Sequence, residues 1–274
     1  MSQAARTLGQ ATTGTVTSRD GTTIAYDRVG HGPPVILVVG ALCSRTLGPG
    51  VKLAPLLAER FSVFTYDRRG RGASGDVAPY APEREVEDLA ALVAVAGGRA
   101  SLFGHSSGAV LALDAAEHGV GIDKLALYEP PLVVDASRPA LDGTWTAIAA
   151  FIAENRRDEA LGVFLRAVGV PGFFRGLMRL LPVWKALRAV ATTLPYDGAL
   201  VQQFQRGEPL PSTAWRHVTV PALALAGGKS PPWMHAGTRA LAAHLAHAEQ
   251  RVVPGQTHDP NAKVLAPLLA SFFG

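Results

Sequence analysis

The chain has 274 residues and a single cysteine, Cys43. An internal disulfide is therefore excluded, which fits a reducing compartment. Thiolate metal clusters are excluded too, and there is no H-E-x-x-H pair. Cys43 follows the apolar run 35–42, so a packed thiol is expected rather than a nucleophile. Charge is also sparse: Asp, Glu, Lys and Arg make up 18 % of the chain, and the formal net charge is +4. The densest basic cluster, DRRGRG at 67–72, contains two glycines and reads as a turn, not a nucleic-acid patch. No apolar run approaches the roughly 20 residues that cross a bilayer, and the N-terminal stretch has no signal-peptide core. No G-x-G-x-x-G follows the first apolar strand, so no dinucleotide site is expected. These absences predict a cytoplasmic protein; a small molecule is the expected partner, and a monomer or homodimer the expected state. Neither metal nor cofactor is expected, and neither nucleic acid nor membrane is expected as a partner.

What is present is enough apolar residue, 48 %, for one large core. TVTSRDGTTIAYDRVG alternates polar and apolar residues around Asp20-Gly21, a hairpin signal. PPVILVVGA is a continuous apolar run, as expected of a strand buried on both faces in a parallel sheet. Helical and strand patterns then alternate as far as DKLALYEPP. Val86, Leu89, Val93 and Ala96 share one helical face, and Gly97-Gly98 ends that helix. The alternation predicts an α/β fold: a mostly parallel, eight-stranded sheet flanked by helices, with the hairpin as an antiparallel edge. It breaks from about 135 to 217. That stretch reads as several helices, for example 145–155, 158–168 and 173–181, and is rich in aromatics. Strand and helix patterns resume with VTVPALALAGG. The expected organisation is a core of 1–134 and 218–274 with a helical insert of 135–217. An insert after a strand's carboxyl end sits over the edge where open α/β sheets bind ligands.

The stretch FGHSSGA fits G-x-S-x-G, with Gly104, Ser106 and Gly108. It lies between a predicted strand and a predicted helix, the context of a nucleophile elbow. Glycine two positions either side of the tip removes a Cβ that would clash across the sharp turn. Ser106 is then the candidate nucleophile. Ser107 is the first helical residue, and its free backbone N–H is a candidate donor to a developing oxyanion.

Taken in order, VVGAL, YDRRGRGASGD, FGHSSGA, LALYEPP, VPALALAGG and VVPGQTH resemble the α/β-hydrolase superfamily over nearly the whole chain. The resemblance implies a second oxyanion donor in the loop after the first parallel strand. That donor is the N–H of Ala41, or of Leu42 by a one-residue slip. The histidine that usually precedes the loop glycine is Val39 here. Asp67 corresponds to a loop-holding residue. His258, after RVVPGQT, stands where the family places the catalytic base. The usual place of the triad acid falls near Lys229 or Ser230, and no Asp or Glu occurs between Glu208 and Glu249. Some members carry the acid after the strand that follows the nucleophile helix, which points to Glu129. Asp135 and Asp259 are weaker alternatives, and a Ser-His dyad is another.

Leu42, Arg45, Lys229 and Trp233 are candidate substrate contacts. Either cation suits an anionic substrate, though Arg45 also fits a loop support and Lys229 a solvated position. The aromatic insert points to a hydrophobic substrate. The leading expectation is a serine hydrolase acting on a carboxylic ester, lactone or thioester. The alternatives are a non-hydrolytic enzyme on the same fold (lyase, cyclase or cofactor-free haloperoxidase-like) and a catalytically degenerate ligand-binding protein.

Overall fold

The computed structural model describes residues 11–139, 141 and 143–274. The Asp20-Gly21 hairpin joins β1 (Thr12–Thr17) to β2 (Thr23–Val29), which pair antiparallel. Asp20 Oδ1 accepts the Thr22 N–H at 3.0 Å and closes the turn. There follow β3 (Pro34–Val38), α1 (Gly50–Leu57), β4 (Ser62–Tyr66), α2 (Pro82–Val95), β5 (Ala100–His105), α3 (Ser107–Glu117) and β6 (Ile122–Tyr128). The chain ends with β7 (Ala222–Gly227), α9 (Pro232–His244), β8 (Ala248–Val253) and α10 (Ala262–Phe273). The strands form one eight-stranded sheet in the order β1-β2-β4-β3-β5-β6-β7-β8. From β4 to β8 every neighbouring pair is parallel.

The unbroken apolar run of β3 has a direct cause. Alternate side chains point to opposite faces of a strand, and both faces are covered here. Ile36 and Val38 join one core layer, built with α2, α3 and α9. Val35 and Leu37 join the other, built with α1 and α10. Burying each such side chain contributes about 1.5–3 kcal/mol, so both faces hold the strand in register.

Every element between β6 and β7 is helical among the described residues: α4 (Thr144–Ala153), α5 (Arg157–Ala167), α6 (Gly172–Met178), α7 (Pro182–Val190) and α8 (Leu194–Val201), with short 3₁₀ turns at Ala191–Thr193 and Gln202–Phe204. The insert has its own apolar cluster, centred on Ile148, Leu161, Trp184 and Leu194. Its last part does not stay apart. Leu200, Val201 and Phe204 join the principal core layer over α3. Helix α8 thus spans the two clusters, which places its side chains directly above the carboxyl ends of the strands.

Candidate active site

Ser106 lies between β5 and α3 with φ +56° and ψ −127°, a conformation that L residues rarely adopt. The turn is tight because two backbones approach it. A Cβ at Gly104 would sit 2.5 Å from Ala109 Cα, and one at Gly108 would sit 2.1 Å from the Val38 carbonyl oxygen. Only glycine fits at either position. The Ser106 N–H donates to the Tyr128 carbonyl at 2.9 Å, so the neighbouring strand also holds the turn.

Strand β6 ends at Tyr128, and Glu129 follows with φ +47°. Its carboxylate is fully buried and has two partners. Oε2 takes the His258 Nδ1–H at 2.7 Å, and Oε1 takes the Gly227 N–H at 2.6 Å. Burial raises the pKa of Glu129, but the hydrogen bonds outweigh it and the carboxyl lies below its ordinary value. The end of β7, where a carboxylate was expected and none exists, thus supplies a backbone donor to the carboxylate of the next strand. Asp135 is exposed and turns onto Ser137, and His258 Nδ1 is engaged by Glu129.

The His258 loop is pinned from below. Tyr128 Oη donates to the Thr257 carbonyl at 2.6 Å, and His105 Nε2 donates to the His258 carbonyl at 2.9 Å. Burial pushes the pKa of His105 down to about 3, with the His258 ring 4.8 Å away adding to the effect. His105 therefore stays neutral, and its Nε2 carries the proton because a carbonyl only accepts. His105 belongs to the elbow itself, next to Ser106. It lies directly under the His258 loop.

Ser106, Ser107, Ala41 and His258 border one cavity of about 450 Å³. Its walls are mainly apolar, with Trp145, Phe164 and Val201 from the insert and Trp233 and Met234 from α9. His258 is the only one of the eight histidines at this cavity. Lys229 and Trp233 also border it, as does Arg138, whose guanidinium lies 4.3 Å over the Trp233 ring. Two candidate contacts are elsewhere. Leu42, at φ +59°, is buried in the insert's apolar cluster. Arg45 is held by Asp67 at 3.0 Å and Asp27 at 2.7 Å, so its charge is already matched. Asp67 also accepts the Arg45 and Ala73 N–H groups, the loop-holding role expected of it. Cys43 is away from the cavity, and burial pushes its thiol up to about 11.

One cluster was not found from the sequence. Asp197 of α8 is buried beside the elbow and accepts from Ser107 Oγ, Arg68 Nη1 and Arg71 Nη2, each at 2.7 Å. Arg71 Nη1 in turn donates to the Gly40 carbonyl at 2.7 Å, in the loop that carries Ala41. Arg68 forks onto Glu85 with two bonds of 2.6 Å. Two cations and two carboxylates balance, so Asp197 sits below its ordinary pKa despite the opposing effect of burial. The one available signal was three arginines within five residues, 67–71, which read only as a turn. All three are buried.

The strand order and parallel crossovers, with a serine elbow at the sheet's carboxyl edge, define an α/β-hydrolase fold. The chain belongs to the alpha/beta hydrolase family, whose model matches residues 35–266. No curated protein matches it. Among solved structures it is similar to an alpha/beta hydrolase from Sphaerobacter thermophilus DSM 20745, with 44 % identity and a TM-score of 0.87 over 95 % of this chain and 100 % of that one. A hydrolase from Pseudomonas aeruginosa PA01 shares 22 % identity at a TM-score of 0.74, over 97 % and 99 % of the two chains. A thermophilic esterase from Thermogutta terrifontis shares 23 % at 0.65, over 96 % and 98 %. The last two likenesses show the fold alone.

Proposed function

We propose that the chain is a serine hydrolase that cleaves a small, hydrophobic carboxylic ester, lactone or thioester through an acyl-enzyme on Ser106. The observation that carries this reading is the 2.7 Å contact between His258 and the buried Glu129, at the cavity that Ser106 borders. Ser106 Oγ attacks the carbonyl carbon as His258 Nε2 takes its proton. Glu129 keeps the ring in the Nδ1–H tautomer and stabilises the imidazolium. The N–H groups of Ala41 and Ser107 receive the oxyanion. Collapse expels the alcohol or thiol, which leaves with the proton from His258. A water then gives its proton to His258 and attacks the acyl group, releasing the acid and restoring Ser106. The apolar walls suit a hydrophobic acyl or alcohol portion. Arg138 and Lys229 make carboxylate-bearing esters a second substrate series worth assaying.

The test is labelling by a fluorophosphonate probe together with turnover of a short-chain nitrophenyl ester, with Ser106→Ala as the control. Labelling and turnover that both vanish in the variant are expected. A folded wild-type protein that takes no label and turns over no ester or lactone overturns the reading, and leaves a non-hydrolytic enzyme or a ligand-binding protein on this fold.

A further inference from the structure

Six of the eleven large hydrophobic residues that stand exposed among the described residues fall between positions 168 and 181: Val168, Phe173, Phe174, Leu177, Leu180 and Leu181. Phe173 is 79 % exposed and Leu180 82 %. Helix α6 buries none of its residues, and the Phe173 and Phe174 rings meet edge-on rather than entering the core. Exposed large apolar side chains concentrated in one segment mark a contact site. Its charge says which kind. From position 160 to 196 the chain has Arg166, Arg175, Arg179, Lys185 and Arg188 and no Asp or Glu. Only Arg188 is ion-paired among the described residues, with Asp158 at 3.1 Å.

We propose that this face, carried by α6 and the turns on either side of it, docks on an anionic lipid bilayer. The exposed Phe and Leu side chains enter the interfacial layer, and the arginines and lysine lie against headgroup phosphates. A second copy of the chain fits the face poorly, because a two-fold contact sets the same unpaired cations against one another. The sequence alone predicted no membrane partner because it holds no spanning run, and no helix among the described residues is long and apolar enough to cross a membrane. Interfacial docking needs no such run. Ala167, Val168 and Gly169 line the cavity and lead directly into the patch. Docking therefore brings that cavity wall close to the bilayer, where lipophilic molecules concentrate.

The test is co-sedimentation of the full chain with vesicles of equimolar phosphatidylcholine and phosphatidylglycerol, or of phosphatidylcholine alone, at low and high salt. Turnover is not read, so the outcome is separate from that of the ester assay. Binding to the mixed vesicles is expected, about tenfold or more weaker on phosphatidylcholine alone, and reduced by salt. The double variants Phe173→Ser/Leu180→Ser and Arg166→Gln/Lys185→Gln should each lose about tenfold while melting like the wild type, because all four side chains are exposed. The proposal is overturned by wild-type protein that ignores mixed vesicles, or by binding indifferent to lipid charge and salt. It is equally overturned if the substitutions dissolve a dimer and leave vesicle binding unchanged.

Discussion

His258 Nδ1 stands 2.7 Å from Glu129 Oε2, while Glu129 Oε1 takes the Gly227 N–H at 2.6 Å. Both oxygens are therefore committed to donors. A glutamine at 129 offers one oxygen to two donors. If Gly227 keeps the oxygen, the amide NH₂ faces His258 and drives its proton to Nε2, the wrong nitrogen for a base. Glu129→Gln should cut kcat for a nitrophenyl ester by roughly 10²–10⁴, with Glu129→Asp retaining more activity. Wild-type turnover in the Gln variant sinks the assignment of Glu129 as triad acid.

Asp197 makes a separate case, because its role in folding and its place beside the elbow are separable. Asp197→Ala leaves Arg71 buried with no carboxylate partner among the described residues. Breaking a buried ion pair in this way costs about 3–5 kcal/mol, read by urea unfolding. Ser107→Ala removes only one donor to Asp197 and keeps the backbone N–H. It should cost about 1–3 kcal/mol and leave kcat within roughly tenfold of the wild type. A stable Ser107→Ala protein without turnover would assign the chemistry to the hydroxyl instead of the N–H.

The contrast between Glu129 and Asp197 shows what a sequence discloses. The parallel strands were legible because burial on both faces leaves an unbroken apolar run, as in β3. The elbow was legible because Gly104 and Gly108 answer a local steric demand. Glu129 was reachable only through the resemblance, which implies an acid at the end of β6 in some members when the place after β7 holds none. Asp197 had no such trace. Its partners Arg68 and Arg71 lie 129 and 126 residues away, and nothing beside it in the chain marks it. The arginine cluster was legible as a turn, but its burial was not, for the same reason. Its burial depends on Asp20, Glu85, Asp88 and Asp197, which come from separate parts of the fold. Arg45 fitted either a substrate contact or a loop support, and Asp27 and Asp67, which favour the support, come to it only through tertiary structure. The aromatic insert was read as pointing to a hydrophobic substrate, and Trp145 and Phe164 do border the cavity, but Phe173 and Phe174 stand exposed.

Asp114 gives a pH-dependent expectation. Burial on α3 raises its carboxyl from 3.8 to about 6, even though Trp215 Nε1 donates to it at 2.7 Å. The folded state therefore holds this proton more tightly than the unfolded chain. Its contribution becomes less favourable as pH climbs from about 4 to 6, and the deficit is constant above that. Asp114→Asn keeps an oxygen for Trp215 and carries no charge. It should stabilise the protein by about 2 kcal/mol above roughly pH 7 and by little near pH 4, read by denaturant unfolding at both. An equal effect at the two pH values means the shift in Asp114 is not its source.

The Ser106 backbone offers a test in which stability and chemistry move in opposite directions. At φ +56° and ψ −127° a serine is strained by about 1–3 kcal/mol. The surrounding strands hold it there through the Ser106 N–H bond to Tyr128 and the close approach of α3 to β3. Glycine adopts the same dihedrals freely but loses about 0.5–1 kcal/mol through its greater freedom when unfolded. Ser106→Gly should therefore be more stable than the wild type by about 1 kcal/mol, with a higher Tm, and should take no fluorophosphonate label. Ser106→Ala keeps the strain and should lose the label without that gain. A Ser106→Gly protein that melts at or below the wild type would show that the turn is relaxed with serine in place. A difference between the two variants, seen together with loss of labelling in both, assigns the strain to the conformation that exposes the hydroxyl.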